Sequence, residues 1–140
     1  MKTQAAILAL AGLLVSVLDI AVLQASEHKA YKPEVKSETL VEETLASDDS
    51  KTVIIKRFTL PRDYVGARHY HSGAVYVYVL DGEFTIETEG QGQQTFKAGQ
   101  LYREPAGRVM RARNLRSDGN LEILVFQVGE AGKPMMIKAD

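Results

Sequence analysis

From Thr52 onward the chain is a succession of short apolar-rich runs in which hydrophobic and polar residues tend to alternate: "TVIIKRFTL", "VYVYVL", "EFTIETE", "QQTFKA", "RVMRARNL" and "LEILVFQV". Alternation with a period of two, in β-branched and aromatic company, predicts strands half-buried on one face. In "VYVYVL" it places Val75, Val77 and Val79 inward and Tyr76, Tyr78 and Leu80 on the opposite face. Asp81-Gly82 separates this run from "EFTIE" and predicts a two-residue hairpin, because both residue types tolerate positive φ. "EGQG" at 89–92 marks the next turn. No stretch after residue 50 carries a helix-length apolar period, so the pattern predicts an all-β sandwich or small barrel.

The N-terminus follows another rule. Lys2 precedes an apolar run from Ala5 to Leu18, then Asp19, a second apolar stretch and "LQAS". This is the layout of a secretory signal, with cleavage expected after Ala25. The run is shorter than the ~20 residues that span a bilayer, and taking Asp19 to the membrane centre would cost about 2.5 to 3.5 kcal/mol, so no stable span is expected after cleavage. The expected organisation is a signal peptide over 1–25, a polar, acid-rich arm or lead-in strand over 26–50 with a turn signal at "SDDS", and one β-domain over 51–140. The expected location is periplasmic or secreted.

Composition adds mainly exclusions. Hydrophobic residues make up 45% and charged residues 25% of 140 residues, ordinary values for one globular domain. A net charge of −1 supplies no field to gather nucleic acid, which is not an expected partner. Without cysteine there is no disulfide, thiolate zinc site or cysteine nucleophile.

The candidate chemistry starts at "ARHYHSGAVYVYVLDGEFTIE", residues 67–87. On a strand, His69 and His71 project to the same side, so both imidazoles could meet one ion. His-x-His alone fits equally a pair of histidines hydrogen-bonded on a strand face. The surrounding spacing resembles the cupin family, whose first motif reads G-x5-H-x-H-x3-E-x6-G: His69, His71 and Gly82 fall in register, with Asp63 at the first glycine and Val75 at the glutamate. The second motif, G-x5-P-x-G-x2-H-x3-N, is matched at Gly99, Pro105, Gly107 and Asn114, with Met110 at the histidine. The ending "GEAGKPMMIK" is also similar to that of small exported cupins. The resemblance implies a double-stranded β-helix, the jelly-roll barrel, behind the signal peptide, and a homodimer. The family's usual metal shell is three histidines and a glutamate.

Against that shell, only His69 and His71 remain. Two neutral imidazoles compensate a divalent charge poorly, which disfavours iron, manganese and zinc. The thioether of Met110 is soft, so His69, His71 and Met110 favour copper(I) as the single transition metal. Met110 fits equally a flexible filler of the barrel interior, with no metal bound. Glu104 is a candidate base or a solvated rim residue, while Tyr102 and Arg108 are candidate ligand-binding groups, Arg108 by sharing Met110's face. Arg111 and Arg113 are expected outside the barrel. Cleavage after Ala25 would expose Ser26-Glu27-His28, whose amine, amides and imidazole suit copper(II) or nickel(II).

Three functions follow as expectations. The first is an exported cupin module that binds a small molecule or, weakly, a metal through the residual His-x-His site. The second is a metal-dependent oxygenase or isomerase on a small organic acid, with Glu104 as base and Arg108 as clamp. The third is a metal-free structural dimer.

Overall fold

The computed structural model describes residues 34–140, which form ten strands and, among the described residues, no helix. In chain order these are β1 (Lys36–Leu45), β2 (Asp48–Leu60), β3 (His69–Tyr70), β4 (Ala74–Asp81), β5 (Glu83–Thr88), β6 (Gly92–Lys97), β7 (Leu101–Glu104), β8 (Met110–Arg113), β9 (Leu121–Glu130) and β10 (Ile137–Lys138). They make two five-stranded antiparallel sheets, one ordered β1-β2-β9-β4-β7 and the other β10-β3-β8-β5-β6. The expected signal peptide over 1–25, its cleavage after Ala25 and the Ser26-Glu27-His28 copper motif lie outside the described residues.

Alternation sorts the chain as the pattern predicts. Val75, Val77 and Val79 are at most 1% exposed and face Phe84, Ile86 and Met110 of the other sheet, while Tyr78 and Leu80 point outward. Leu121, Ile123 and Val125 of β9 and Ile54 and Leu60 of β2 complete the core. Each such aliphatic side chain withdrawn from water contributes about 1.5 to 3 kcal/mol, so this stripe and not turn chemistry fixes which face looks inward.

The hairpin expected at Asp81-Gly82 does not form. β4 lies between β9 and β7 in one sheet and β5 between β8 and β6 in the other, so the chain changes sheets at Gly82. A hairpin would set Val75, Val77 and Val79 beside Phe84 and Ile86 in a single layer; the switch lets them pack face to face. Gly82 permits it with φ of +87° and no side chain, since a Cβ would come 3.0 Å from the Asn120 carbonyl oxygen. The turn at 89–92 does join a hairpin, β5 to β6, closed by Thr88 opposite Gly92. The "SDDS" signal sits one step late. The β1–β2 turn falls at Ala46 and Ser47, and Asp48 accepts hydrogen bonds from the amide and hydroxyl of Ser50 within β2.

Two motif positions are structural. Asp63, where the motif has glycine, has φ of +55°, and its amide donates to the Arg116 carbonyl. Asn114 is fully buried. Its Nδ2 lies 3.0 to 3.2 Å from the carbonyl oxygens of Leu60, Pro61 and Gly119, and its Oδ1 accepts from the Arg116 amide, tying the end of β2 to the loop between β8 and β9.

Candidate metal centre

β3 is only two residues long, and its neighbours hold it. His69 is the register partner of Met110 on β8 and of Lys138 on β10, and Tyr70 is the partner of Ile137. The alternation that put both imidazoles on one side is realised: the rings of His69 and His71 lie 5.0 Å apart, nearly perpendicular, and both residues are buried.

A third group joins them. Glu104, the last residue of β7, pairs in register with Val75, so its side chain leaves the same face of the sheet one strand away from the motif's glutamate position. It is 4% exposed, which overturns the solvated-rim reading. Ligand atoms of His69, His71 and Glu104 all lie within 4.8 Å of one another, and His71 Nε2 is 2.9 Å from Glu104 Oε2. The expectation of a site without an anion is therefore corrected. An acid stands beside the histidines, reaching them from β7, whereas the motif's glutamate position lies on β4.

The ring nitrogens are assigned by their partners. His69 Nδ1 meets the Ala67 carbonyl oxygen at 3.0 Å and His71 Nδ1 meets that of Met135. Carbonyls only accept, so Nδ1 carries the proton in each ring and Nε2 is the free donor atom in the neutral form. Metal-binding histidines are commonly oriented by such a bond from the other nitrogen. His71 Nε2 is buried and faces Glu104 Oε2 at 2.9 Å. The donor set fits a metal ion: two imidazoles and a carboxylate, oriented and shielded from water.

Electrostatics separates the two rings. Burial is the largest influence on His69 and holds its pKa below the ordinary 6.5, with the Ala67 carbonyl and Glu104 opposing and His71 adding to the depression. Burial also depresses His71, but the contact with Glu104, its charge, the Met135 carbonyl and the Gln127 side chain together raise it above 6.5. Without a metal, His71 therefore keeps its proton to higher pH than a free imidazole, and His69 loses its proton at lower pH.

The three residues sit in the wall of a cavity of about 390 Å³. The other walls are largely apolar: Val77 and Val125 from the sheet with β4, Phe58, Tyr64 and Ala112, and Met135 and Met136 from the C-terminal segment, with Lys138 beside them. Burial raises the Tyr64 pKa, keeping its hydroxyl neutral.

The remaining expected site residues are placed elsewhere. Met110 is 1% exposed and packs in the core; it stands beside His69 across the strand pair but lines a separate cleft with Arg68 and Arg111. Tyr102 is a core residue, its ring centroid 4.6 Å from that of Phe96 and 6.5 Å from that of Phe84. Arg108 is exposed, its guanidinium beside Gly90, because residues 105–109 form a turn and alternation from Met110 does not extend to it. Neither Tyr102 nor Arg108 lines the cavity. Gln127, which the motifs gave no reason to single out, is 1% exposed, is the register partner of Val75 on the side away from Glu104, and reaches His71. Gly129 makes room for it: a Cβ there would come 2.4 Å from Gln127 Nε2.

An antiparallel double-sheet barrel with clustered buried histidines from one sheet and an acid from the other, meeting inside it, defines the class. The comparisons agree. A cupin domain model matches residues 56–127. An uncharacterized protein of Methanocaldococcus jannaschii is 30% identical over 111 residues, covering 79% of this chain and 90% of that protein. This chain belongs to the cupin family. The solved structure of that same archaeal protein, an RmlC-like cupin with a double-stranded β-helix fold, superposes with a TM-score of 0.57 at 25% identity over 85% of this chain and 94% of that one. A DMSP lyase from Ruegeria pomeroyi gives a TM-score of 0.61 at 18% identity, covering 75% of this chain and 51% of that one. A polyketide cyclase from Streptomyces resistomycificus gives 0.59 at 17%, covering 76% and 72%. The last two show the shared fold alone.

Proposed function

We propose that this is an exported cupin module that holds one transition-metal ion on His69, His71 and Glu104 and receives a small molecule in the adjoining cavity. The observation that carries this is the convergence of three buried ligand atoms within 4.8 Å on the wall of that cavity. The carboxylate changes the expected metal. With an anionic oxygen beside two imidazoles, a divalent ion such as zinc, iron(II) or manganese(II) fits better than the copper expected from His69, His71 and Met110. Bound there, the ion would act as a Lewis acid toward a ligand oxygen.

The same donor set favours a second reading. Two histidines and one carboxylate with positions left over are the ligand set of non-haem iron(II) oxygenases, which supports a metal-dependent enzyme on a small organic acid. The test for both is elemental analysis of the protein purified from the exported fraction, beside the His69→Ala, His71→Ala and Glu104→Ala variants. One divalent ion per chain, lost in each variant, supports the site. Iron with oxygen-dependent turnover favours the enzyme; no metal in any form, with unchanged stability in the variants, leaves the structural dimer.

A homodimer is supported by the outer face of the sheet containing β4. Tyr78 and Leu101 are register partners there, 40% and 59% exposed, with Leu80 beside them at 37%. Leu101→Asp should halve the mass found by light scattering.

A further inference from the structure

The wall of the cavity also states what kind of molecule it takes, a step that rests on the metal site just proposed. Apart from the three site residues, the only side chains lining it among the described residues that bear a hydrogen-bonding group are Tyr64 and Lys138; the rest is Val35, Phe58, Val77, Val125 and their apolar neighbours. A polyhydroxylated molecule would leave hydroxyls facing these walls without partners, and each one buried so weakens binding about tenfold or more. An apolar body loses nothing there.

Charge selects the other end of the ligand. Lys138 is the register partner of His69, so β10 brings an ammonium to the strand that carries the metal-binding imidazole. Lys138 makes no ion pair among the described residues. A divalent ion on two neutral imidazoles and one carboxylate leaves one net positive charge, and the ammonium adds a second at the mouth. The two attract an anionic head while the apolar body fills the remainder.

We propose that the ligand is an apolar-bodied carboxylate: an aryl- or alkyl-substituted acid whose carboxylate sits between the metal and Lys138 and whose hydrocarbon part packs on Phe58, Val77 and Val125. The C-terminal segment is then part of the binding site, since Lys138, Met135 and Met136 all come from it.

Isothermal titration of the zinc-loaded full-length chain with three probes tests this. Phenylacetate has the charge and the apolar body, 2-phenylethanol has the body alone, and gluconate has the charge on a polyhydroxylated body. Phenylacetate should bind at least tenfold more tightly than either. Lys138→Gln, at an exposed position whose loss leaves the core intact, should weaken phenylacetate two- to fivefold and leave 2-phenylethanol unchanged. Ala112→Leu, which adds bulk to the wall, should abolish phenylacetate binding while zinc remains stoichiometric; a thermal melt confirms that it folds. Gluconate binding as tightly as phenylacetate overturns the apolar body, and 2-phenylethanol doing so overturns the anionic head. Stoichiometric zinc with no binding of phenylacetate overturns the ligand class and leaves the metal site standing. Failure to load zinc overturns both.

Discussion

If Glu104 stands in for the motif's glutamate, the acid can be moved back. Val75 and Glu104 are register partners on one face of adjacent antiparallel strands, so their Cβ atoms lie about 4.5 to 5.5 Å apart. A glutamate side chain rooted at either position can deliver its carboxylate to the same neighbourhood. The exchange Val75→Glu with Glu104→Val therefore keeps total charge and composition and changes only the strand from which the acid arrives.

The magnitude follows from burial. An exposed ion pair is worth under about 1 kcal/mol, but the Glu104 side chain is 5% exposed and that of His71 3%, so water screens little. The buried range applies: removing one member of a desolvated charge pair costs about 2 to 5 kcal/mol, roughly 30- to 5,000-fold in Kd for the ion. Glu104→Val alone should weaken zinc by that amount. It should barely change the stability of the metal-free protein above neutral pH, since an apolar residue is well tolerated there and His71 can discard its proton. Val75→Glu alone places a second carboxylate beside the first at a position that is 0% exposed, and should destabilise the metal-free fold by several kcal/mol. The double exchange should recover at least half of the lost binding free energy. Zinc titration calorimetry on the four proteins, with thermal melts as folding controls, gives the coupling. Undiminished zinc binding by Glu104→Val would refute the reasoning outright; a folded double variant as weak as the single one would refute the equivalence of the two strands.

Other expectations follow from single features. In the metal-free protein the two histidines oppose each other: His71, raised above 6.5, gives stability that is lost as pH rises through its folded value, and His69, held below 6.5, gives stability that is lost as pH falls below 6.5. Melting temperature against pH should peak near 6.5, and His71→Gln should flatten the alkaline side. Asn114→Ala leaves three backbone carbonyls unserved in a fully buried site and should cost about 3 kcal/mol in urea unfolding, with no midpoint change refuting its role as a tie. Gly82→Ala meets both a positive φ and the Asn120 carbonyl and should cost about 2 kcal/mol by the same measurement. Met110→Leu keeps volume and burial and should leave zinc affinity within twofold, whereas a large loss would restore the thioether to the ligand set.

What could be read from the sequence divides along a physical line. Face assignments came through, because burial enforces them residue by residue: Val75, Val77 and Val79 against Tyr78 and Leu80, and the two imidazoles on one side of β3. Partner assignments did not. Asp81-Gly82 has the conformational freedom of a hairpin turn, and the same freedom serves a change of sheet; only packing between the two layers decides between them. Tyr102 does face inward, yet Phe84 and Phe96 take up its ring before any ligand could. Arg108 was placed by carrying alternation two residues beyond a strand that begins at Met110. The acid at Glu104 was in view but without its role, because two strands of the opposite sheet intervene between Val75 and Glu104 and motif spacing holds no record of which residues end up side by side.

That separation explains why a departure from the motif need not mean loss of the site. A metal centre constrains where donor atoms lie, and within a sheet several backbone positions open onto one point. In the row across β9, β4 and β7 the residues are Gln127, Val75 and Glu104, with His71 reached from both flanks. Once an acid occupies the β7 position, a second on β4 would face it at close range in a space without water, and two such carboxylates cannot both ionise. An apolar residue at 75 is then what the relocated acid requires. On the metal site proposed above, Val75 is the counterpart of Glu104 and not a vestige, and the two positions should change together or not at all.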